Sequence, residues 1–420
     1  MSAQPALIAH SNQFARQHVQ LAEGVHGFIG YAASNVYVLE GADSLVVIDT
    51  TESTSAAEAI LADLRKVTRK PVETIFYTHS HRDHISGATV FAEGGNPRVM
   101  AWHGFQSDIV GDIGGPGQAL LARTRRQFGF GLSFPDERVN LGCGPGDRPV
   151  AGMGAGHIPP TVLIDAPRSK VDFAGFSVEL IHAPGETPDH LVVWLPEVKV
   201  LISGDNFYHS FPNLYPIRGS AYRDFAVWAD TLDWMLGLEA EVLAPGHSMP
   251  VFGVAAIRER MGDVRDAIRF VIEATSDALN SGLSVDEAAA RVVLPAGLAK
   301  KPWLQEFYGR VDWAVRAYAA GTLGWFDGNP TNLGQLAPMQ EAQNVIALAG
   351  GVDRVLEAAR DADDPQWVLE LADRLIASQS VVPEAKALKI AAMRRLADKQ
   401  INATARNYYL VCAKDLEETL

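Results

Sequence analysis

The run Thr-His-Ser-His-Arg-Asp-His at positions 78–84 constrains this chain more than any other part of its sequence. Within a few residues it offers four side chains of the types that bind divalent metal ions: His79, His81, Asp83 and His84. An apolar, strand-like stretch at 72–77 precedes the run, so we expect the ligands to emerge at the end of a buried strand. The alternative is a histidine-rich surface turn.

The rest of the sequence divides into two parts that differ in the spacing of their apolar residues. From about residue 21 to 255, short β-type runs are broken by Gly and Pro, at 35–39, 45–49, 176–181, 191–195 and 199–203. Helical patterns lie between some of them, at 55–66 and 222–238. Because strands and helices interleave, we predict a layered α/β or α+β domain over residues 21–255.

Residues 256–420 have the residue pattern of helices instead. Apolar residues recur at helical spacing at 257–281, 285–293, 306–323, 340–348, 352–362, 365–378, 383–399 and 403–417. We therefore expect a second, all-helical domain at 256–420. Within the first domain, residues 111–170 are rich in Gly and Pro, and we expect a long loop there that lines the site, with disorder as the alternative.

The composition limits the classes of binding partner and the cellular compartment that we expect. The formal net charge is −14, which argues against a nucleic-acid partner, because phosphate neutralisation needs a basic face. The sequence has no run of about 18 apolar residues, so we expect no membrane span. The polar stretch 1–20 lacks the apolar core of a signal peptide, and Cys143 and Cys412 make no disulfide framework. Together these features indicate a cytoplasmic protein.

Three later residues complete a set of metal ligands: Glu186, Asp205 and His247. Each follows a β-type run beside a glycine. His79 and His81 are two residues apart and point to one side of extended backbone, so they can hold one ion. Asp83 and His84 lie beyond the turn and can hold a second ion. Two ions with a bridging hydroxide form a hydrolytic centre.

The order His-x-His-x-Asp-His, followed by three single ligands on later loops, resembles the metallo-β-lactamase superfamily over about residues 21–255. That resemblance implies an αββα sandwich, an α+β fold with the metals at one edge between two sheets. The third ligand of the first metal is usually His in this superfamily, whereas Glu186 occupies that place here. A carboxylate at this position is similar to the alkyl sulfatase subgroup.

Three further segments, at 207–219, 324–333 and 402–410, also resemble alkyl sulfatases. The last two are similar to parts of the helical dimerisation domain of that subgroup, which implies a homodimer formed through residues 256–420. Many alkyl sulfatases carry a third domain that resembles sterol carrier proteins, and this chain stops before it at Leu420. That difference, with the lack of a signal peptide, counts against a long-chain detergent as substrate.

The resemblance also assigns each ligand to a metal. One metal would be bound by His79, His81 and Glu186. The other would be bound by Asp83, His84 and His247, with Asp205 as the bridge between the two. Two Zn²⁺ ions per chain are the family expectation, and mixed imidazole and carboxylate ligands also accept Fe or Mn. Asp83 is in addition a candidate for orienting the hydroxide.

Other polar residues are candidates for contacts with the substrate. Asn213, Arg218 and Arg223 could bind an anionic head group, since a guanidinium matches sulfate or phosphate oxygens. For Arg223 the alternative is an ion pair on a helix surface with Asp224 or a neighbour. Tyr208 and His209 could donate a proton to the leaving oxygen, with a structural role as the alternative.

Asp189 and His190 have two interpretations. Either could fix the tautomer of a ligand, or both could be surface polar residues.

These features predict a dinuclear metal-dependent hydrolase of alkyl sulfate esters, acting on a small anionic ester with an apolar tail. An alternative is a hydrolase of the same fold that acts on another ester, a lactone, a thioester, a phosphoester or a β-lactam. An alternative of a different class is a non-catalytic metal-binding scaffold. The intact set of ligands favours the enzyme.

Overall fold

The computed structural model describes residues 3–107 and 116–420. One sheet contains β1 (Gln17–Ala22), β2 (Val25–Ile29), β3 (Val36–Glu40), β4 (Leu45–Ile48), β5 (Val72–Phe76), β6 (Arg98–Trp102) and β7 (Val162–Ile164), in that order. The other contains β8 (Arg168–Phe173), β9 (Phe176–His182), β10 (Leu191–Leu195), β11 (Val200–Gly204), β12 (Val242–Pro245) and β13 (Val251–Phe252), neighbouring one another in sequence order. The strand runs predicted from β3 onward are confirmed.

Helices precede, separate and follow these strands. Those within the strand-containing part are α1 (Pro5–His10), α2 (Thr54–Val67), α3 (Arg82–Ile85), α4 (Ala88–Ala92), α5 (Gly117–Gln127) and α6 (Phe225–Leu236). After the last strand come α7 (Val254–Asn280), α8 (Val285–Arg291), α9 (Ala296–Ala299), α10 (Val311–Leu323), α11 (Pro338–Leu348), α12 (Val352–Asp361), α13 (Pro365–Ala377), α14 (Val382–Lys399) and α15 (Ala403–Glu417).

The two sheets pack face to face with helices on both outer surfaces, which confirms the αββα sandwich. Alternation along each strand decides this: in β4, Val46 and Ile48 face the layer between the sheets, whereas Leu45 and Val47 face the outer layer. Helices α2 and α4 cover the outer face of the first sheet. Helices α6 and α7 cover that of the second. The core therefore has three apolar layers.

Helix α7 joins the sandwich to the helices that follow it. It belongs to the outer layer of the second sheet, since Ile257 and Ile268 share a core with Trp228 of α6 and Leu243 of β12. The later helices α11 to α14 form a separate small core. The division into domains at residue 255 stays a prediction. In the part of the chain that the structure describes, no helix is long and apolar enough to cross a membrane.

The long loop predicted at 111–170 is wrong in part. Helix α5 and strand β7 lie within it, and β8 begins before its end. Gly117 begins α5, whereas the glycines from Gly142 to Gly156 lie in a stretch without helices or strands, where the loop prediction is confirmed. Residues 111–115 lie outside the described residues. What remains irregular, at 128–161, packs beside the predicted ligands.

Candidate metal centre

The predicted ligands meet at one edge of the sandwich because the strands before them end there. Strands β4 and β5 are parallel, and so are β11 and β12, so each pair releases the chain at the same edge. The histidine run follows β5, Asp205 follows β11, His247 follows β12 and Glu186 lies between β9 and β10. All the predicted ligands take part in groups of donor atoms that lie within 4.8 Å of one another.

Asp83, His84 and His247 form one such group. Oδ2 of Asp83 lies 3.7 Å from Nε2 of His84 and 3.5 Å from Nε2 of His247. The family resemblance assigns this trio to one metal, and the structure brings the three side chains together.

The other predicted trio is also contiguous. Nε2 of His79 lies 2.9 Å from Nδ1 of His81, which in turn lies 3.8 Å from Oε1 of Glu186. Two further groups of donors contain these residues together with Asp205: one has His81 and Glu186, and the other has His79 and His84.

Asp205 lies at the centre of the cluster. Its Oδ2 is 3.0 Å from Nε2 of His247 and 3.6 Å from Nε2 of His79. Its Oδ1 is 3.3 Å from Nε2 of His84. A carboxylate whose two oxygens face different imidazoles has the placement that a bridging ligand needs, and the bridging role itself remains a proposal.

Two imidazoles are held by partners that the sequence analysis did not identify. Nδ1 of His84 is 2.7 Å from Oδ2 of Asp49, and Nδ1 of His247 is 2.6 Å from the carbonyl oxygen of Ala33. Asp49 also accepts hydrogen bonds from the N–H and the hydroxyl of Thr78, each of 2.8 Å. Each partner fixes one ring nitrogen and directs Nε2 into the cluster. The available signal for Asp49 was its position directly after the apolar strand β4.

His190 contacts two of the predicted ligands from outside the cluster of donors. It and Asp189 are buried, so the surface interpretation of both is wrong. Nε2 of His190 accepts a hydrogen bond of 3.0 Å from the backbone N–H of Asp205, and its ring stacks on His79 with centroids 4.8 Å apart. Burial lowers the pKa of His190 to about 3, so the ring is a neutral acceptor. It thereby positions two of the predicted ligands.

Gly246 is required by the close approach of the backbone to the ligands. A Cβ atom at this position would lie 2.2 Å from Oδ1 of Asp205 and 3.0 Å from Cε1 of His84. Any side chain here would displace one of them. The glycine before His247 is therefore part of the site.

The histidines of the cluster have pKa values shifted in opposite directions. Burial disfavours the charged form of His84, but Asp205, Asp49 and Asp83 outweigh it and hold its pKa well above the ordinary value. Burial lowers the pKa of His79, and that of His81 falls well below its usual range through burial with Arg218 and Arg223 nearby. Two imidazoles are thus neutral and available to bind a metal.

The donors fit divalent metal ions by a second criterion. Nε2 of His84, Oε2 of Glu186 and Oδ1 of Asp205 are buried and have no hydrogen-bond partner among the described residues. Buried polar atoms are normally paired. Since all three atoms face a cluster of imidazole and carboxylate groups, bound cations would give each of them a partner.

Two of the candidate substrate contacts differ in their surroundings. Arg218 lines the cleft above the ligands, with Nη2 3.5 Å from Nε2 of His81. Arg223 is buried and pairs with Glu186 at 2.9 Å. Its alternative, a surface pair with Asp224, is wrong, because Asp224 caps α6 by accepting from the N–H of Val227.

Asn213 is buried beside Arg223 and Tyr208. Its carbonyl oxygen accepts from Nη1 of Arg223 at 2.6 Å, and its N–H donates to the hydroxyl of Tyr208 at 2.6 Å. Its Nδ2 has no partner among the described residues. Asn213 is not among the residues that line the cleft, so its contact with a substrate stays a prediction.

Tyr208 and His209 engage the backbone in this structure. Tyr208 accepts from Asn213, as described above. Nε2 of His209 lies 3.1 Å from the carbonyl oxygen of Met249, and burial lowers the pKa of this ring to about 3. Neither is among the residues that line the cleft. Proton donation by either one stays a prediction.

A cleft that is partly open to solvent leads to the ligands. Its walls carry apolar side chains, namely Ala33, Phe128, Phe130, Leu141, Met153 and Tyr308. They also carry charged ones outside the ligand set, namely Glu52, Arg82, Arg148 and Arg218. Apolar walls with a few polar groups are typical of sites for small molecules.

Two family models match the chain. The metallo-beta-lactamase superfamily matches residues 29–247, and alkyl sulfatase dimerisation matches residues 284–419. The second match covers most of the helical part after α7.

Individual relatives match over most of this chain. A linear primary-alkylsulfatase of Pseudomonas sp. (strain ATCC 19151) is 37% identical over 91% of this chain and 74% of its own length. An (R)-specific secondary-alkylsulfatase of Pseudomonas sp. is 31% identical over 92% of this chain, which spans 60% of that relative. The solved structure of the stereoselective inverting sec-alkylsulfatase Pisa1 from Pseudomonas sp. superposes with a TM-score of 0.89 at 28% identity, over 100% of this chain and 69% of that one.

Proposed function

Because this chain belongs to the metallo-β-lactamase superfamily and, within it, to the alkyl sulfatases, we propose that it hydrolyses alkyl sulfate esters at the cluster around Asp205. The observation that carries the proposal is the position of Arg218, whose guanidinium lies beside His81 at the base of the cleft. A guanidinium presents paired N–H donors that match the oxygens of a sulfate group. Here they would hold the ester next to the ligands.

Two divalent metal ions per chain are the expected cofactors, with Zn²⁺ first and Fe or Mn as alternatives. His79, His81 and Glu186 would hold one, and Asp83, His84 and His247 the other, with Asp205 between them. When bound, such ions supply Lewis acidity and lower the pKa of water. Metal analysis of the purified protein tests the number and the identity.

The remaining residues bind and orient the ester. Arg218 and the unpaired Nδ2 of Asn213 would fix the sulfate oxygens. The apolar wall that contains Phe128, Phe130 and Met153 would hold the alkyl chain and exclude water. Asp83 is the one ligand with a substantially open carboxylate, 31% exposed against 3% for Asp205. This exposure supports the proposal that Asp83 orients an attacking water through a hydrogen bond.

Release of inorganic sulfate from short alkyl sulfates tests the function. We expect turnover by the wild type and a loss of at least about 100-fold in Asp205→Asn, since an amide oxygen is a much weaker ligand than a carboxylate. Asp230→Asn, an exposed aspartate on α6, is the matched control. Turnover of carboxylic esters without sulfate release would instead favour another hydrolase of this fold.

A homodimer formed through the helical part is the expected assembly. The region that matches alkyl sulfatase dimerisation exposes large apolar side chains, including Leu323, Trp325, Leu333, Leu336 and Leu348. Trp325 is 82% exposed and Leu348 90%, and a surface on which several large apolar side chains lie together is typical of a protein–protein interface. Light scattering should give twice the mass of the chain, and a monomer at micromolar concentration contradicts the assembly.

A further inference from the structure

Arg148 is a buried guanidinium on the wall of the cleft with hydrogen-bonding capacity left over. Its side chain is 1% exposed, and Nε donates to Oε1 of Glu52 at 2.7 Å. Its Nη1 is closed to solvent and has no hydrogen-bond partner within residues 3–107 and 116–420. A buried donor without a partner is destabilising, so the ion pair with Glu52 does not account for the whole side chain.

The backbone around Arg148 is held firmly in place. The hydroxyl of Ser53 donates to the carbonyl oxygen of Pro149 at 2.8 Å, and the N–H of Ser55 donates to that of Ala151 at 3.2 Å. The ring of Phe130 lies beneath the guanidinium, with its centroid 5.4 Å from Cζ. A charged group fixed in this way is preorganised for a ligand rather than mobile.

The charges on the cleft walls exceed what a simple alkyl sulfate needs. Apart from the predicted ligands, the lining contains three arginines, Arg82, Arg148 and Arg218, against one acid, Glu52. The guanidinium of Arg82 has no ion pair with any described residue. The surplus is therefore two positive charges in a chain whose net charge is −14. One sulfate ester carries one negative charge and leaves the other cation without a counterpart.

We propose that the substrate carries a carboxylate in addition to its sulfate ester, and that Arg148 binds this carboxylate as a specificity-determining residue. The sulfate lies at Arg218, the intervening short alkyl chain packs against Phe130 and Met153, and the carboxylate accepts from Nη1 of Arg148. Arg82 supplies the remaining positive charge. The inference rests on the proposed sulfatase activity and narrows its substrate class to sulfated hydroxy acids.

A structural role for Arg148 predicts a different result. Oε1 of Glu52 also accepts from the N–H of Ala33, and the carbonyl oxygen of Ala33 accepts from His247. If Arg148 acted only by supporting this chain of contacts, its loss would disturb His247 and slow every substrate equally. A specificity role changes the ratio between two substrates instead.

The experiment compares hexyl sulfate with its ω-carboxylated counterpart of the same chain length. The wild type should hydrolyse the carboxylated ester with kcat/KM at least about tenfold higher. In Arg148→Met this preference should disappear, so that the two esters are hydrolysed with equal kcat/KM. Arg98→Met, which removes one exposed arginine paired with Glu73, is the control and should keep the wild-type ratio.

Each outcome decides the inference. Equal rates for both esters in the wild type, or an equal loss for both in Arg148→Met, overturns it and leaves the sulfatase function standing. Sulfate release from neither ester removes the proposed function and the inference together. Should Arg148→Met fail to fold, as judged by its melting curve, the wild-type ratio and that of Arg148→Lys decide the question.

Discussion

Nδ1 of His84 lies 2.7 Å from Oδ2 of Asp49, and both side chains are buried. Asp49 directly follows β4, and His84 lies in the short helix α3 that comes after the adjacent parallel strand β5. The carboxylate fixes the ring so that Nε2 faces Asp83 and Asp205. It also raises the basicity of the ring. Asp49 thus belongs to the site although it does not itself reach the cluster of donors.

Replacing Asp49 should weaken metal binding without removing a ligand. In Asp49→Asn the hydrogen bond to His84 loses its charge, so we expect metal affinity to fall by about 10–100-fold. Competition with a chelator, followed by metal analysis, measures this. Asp43→Asn changes an exposed residue in the same way and should leave the affinity unchanged. Equal affinities for the wild type and Asp49→Asn contradict the role assigned to Asp49.

Arg223 should contribute to stability through its buried ion pair with Glu186. Removing the guanidinium leaves a buried carboxylate without a partner, which typically costs about 3–5 kcal/mol. Urea unfolding of metal-free Arg223→Met measures the loss. If Glu186 is a ligand, saturating metal should restore part of it, because the cation replaces the lost positive charge. Arg258→Met, at an exposed pair, should change stability by less than about 0.5 kcal/mol.

Arg218 should matter for the substrate rather than for the fold. Among the described residues no carboxylate forms an ion pair with Arg218, so removing its guanidinium leaves no buried acid without a partner. Arg218→Met should lower kcat/KM for alkyl sulfates by about a hundredfold, equivalent to about 3 kcal/mol. Its melting temperature should stay within a few degrees of the wild type. A large fall in melting temperature with unchanged kinetics would reverse this assignment.

Two glycines should respond in opposite ways to the same substitution. Gly246→Ala places a Cβ 2.2 Å from Asp205, so we expect loss of metal binding. Gly262 lies inside helix α7, and a Cβ there meets no atom within 4 Å. Gly262→Ala should therefore stabilise the protein by about 0.5–1 kcal/mol. Metal content and urea unfolding of the two variants check both statements.

His10 should make stability depend on pH. Its ring stacks on Phe307, with centroids 4.0 Å apart, and Nε2 lies 2.8 Å from the carbonyl oxygen of Gly142. Burial lowers its pKa to about 4. The unfolded chain, with a histidine pKa of about 6.5, takes up the proton first as the pH falls. Stability therefore decreases from about pH 6.5 towards pH 4, by about 2 kcal/mol at pH 5.

The variant His10→Phe tests this contribution. It keeps an aromatic ring against Phe307 and removes the titrating group. The difference in unfolding free energy between about pH 7.5 and pH 5 should shrink by about 2 kcal/mol relative to the wild type. His103→Phe, at an exposed histidine, should retain the wild-type difference. An unchanged difference in His10→Phe would show that His10 is protonated in the folded protein.

The sandwich and the donors of the candidate site could be predicted because local sequence determines them. Residues of strand composition next to Gly-Asp or Gly-His place a donor at a strand end, as at Asp205 and His247. The supporting residues could not be found in this way. The contact of Ala33 with His247 and that of Arg223 with Glu186 depend on how distant segments pack, and neither residue type signals its partner.

The region 111–170 shows a second limit. Glycine and proline indicate where regular elements end, but they do not show how short an element can be and still form. Helix α5 lies between such positions and is held by packing against α15, a helix far away in sequence. Tertiary contacts of this kind override local composition.

The convergence of ligands from both sheets has a thermodynamic consequence. The histidine run belongs to one sheet, and Glu186, Asp205 and His247 belong to the other, so any opening of the sandwich separates the donors. A cation that binds only the closed arrangement stabilises it by RT ln(1 + [L]/Kd). The melting temperature therefore reports how much of the metal site is occupied. Melting curves recorded at increasing metal concentrations can rank candidate metals before any substrate is known.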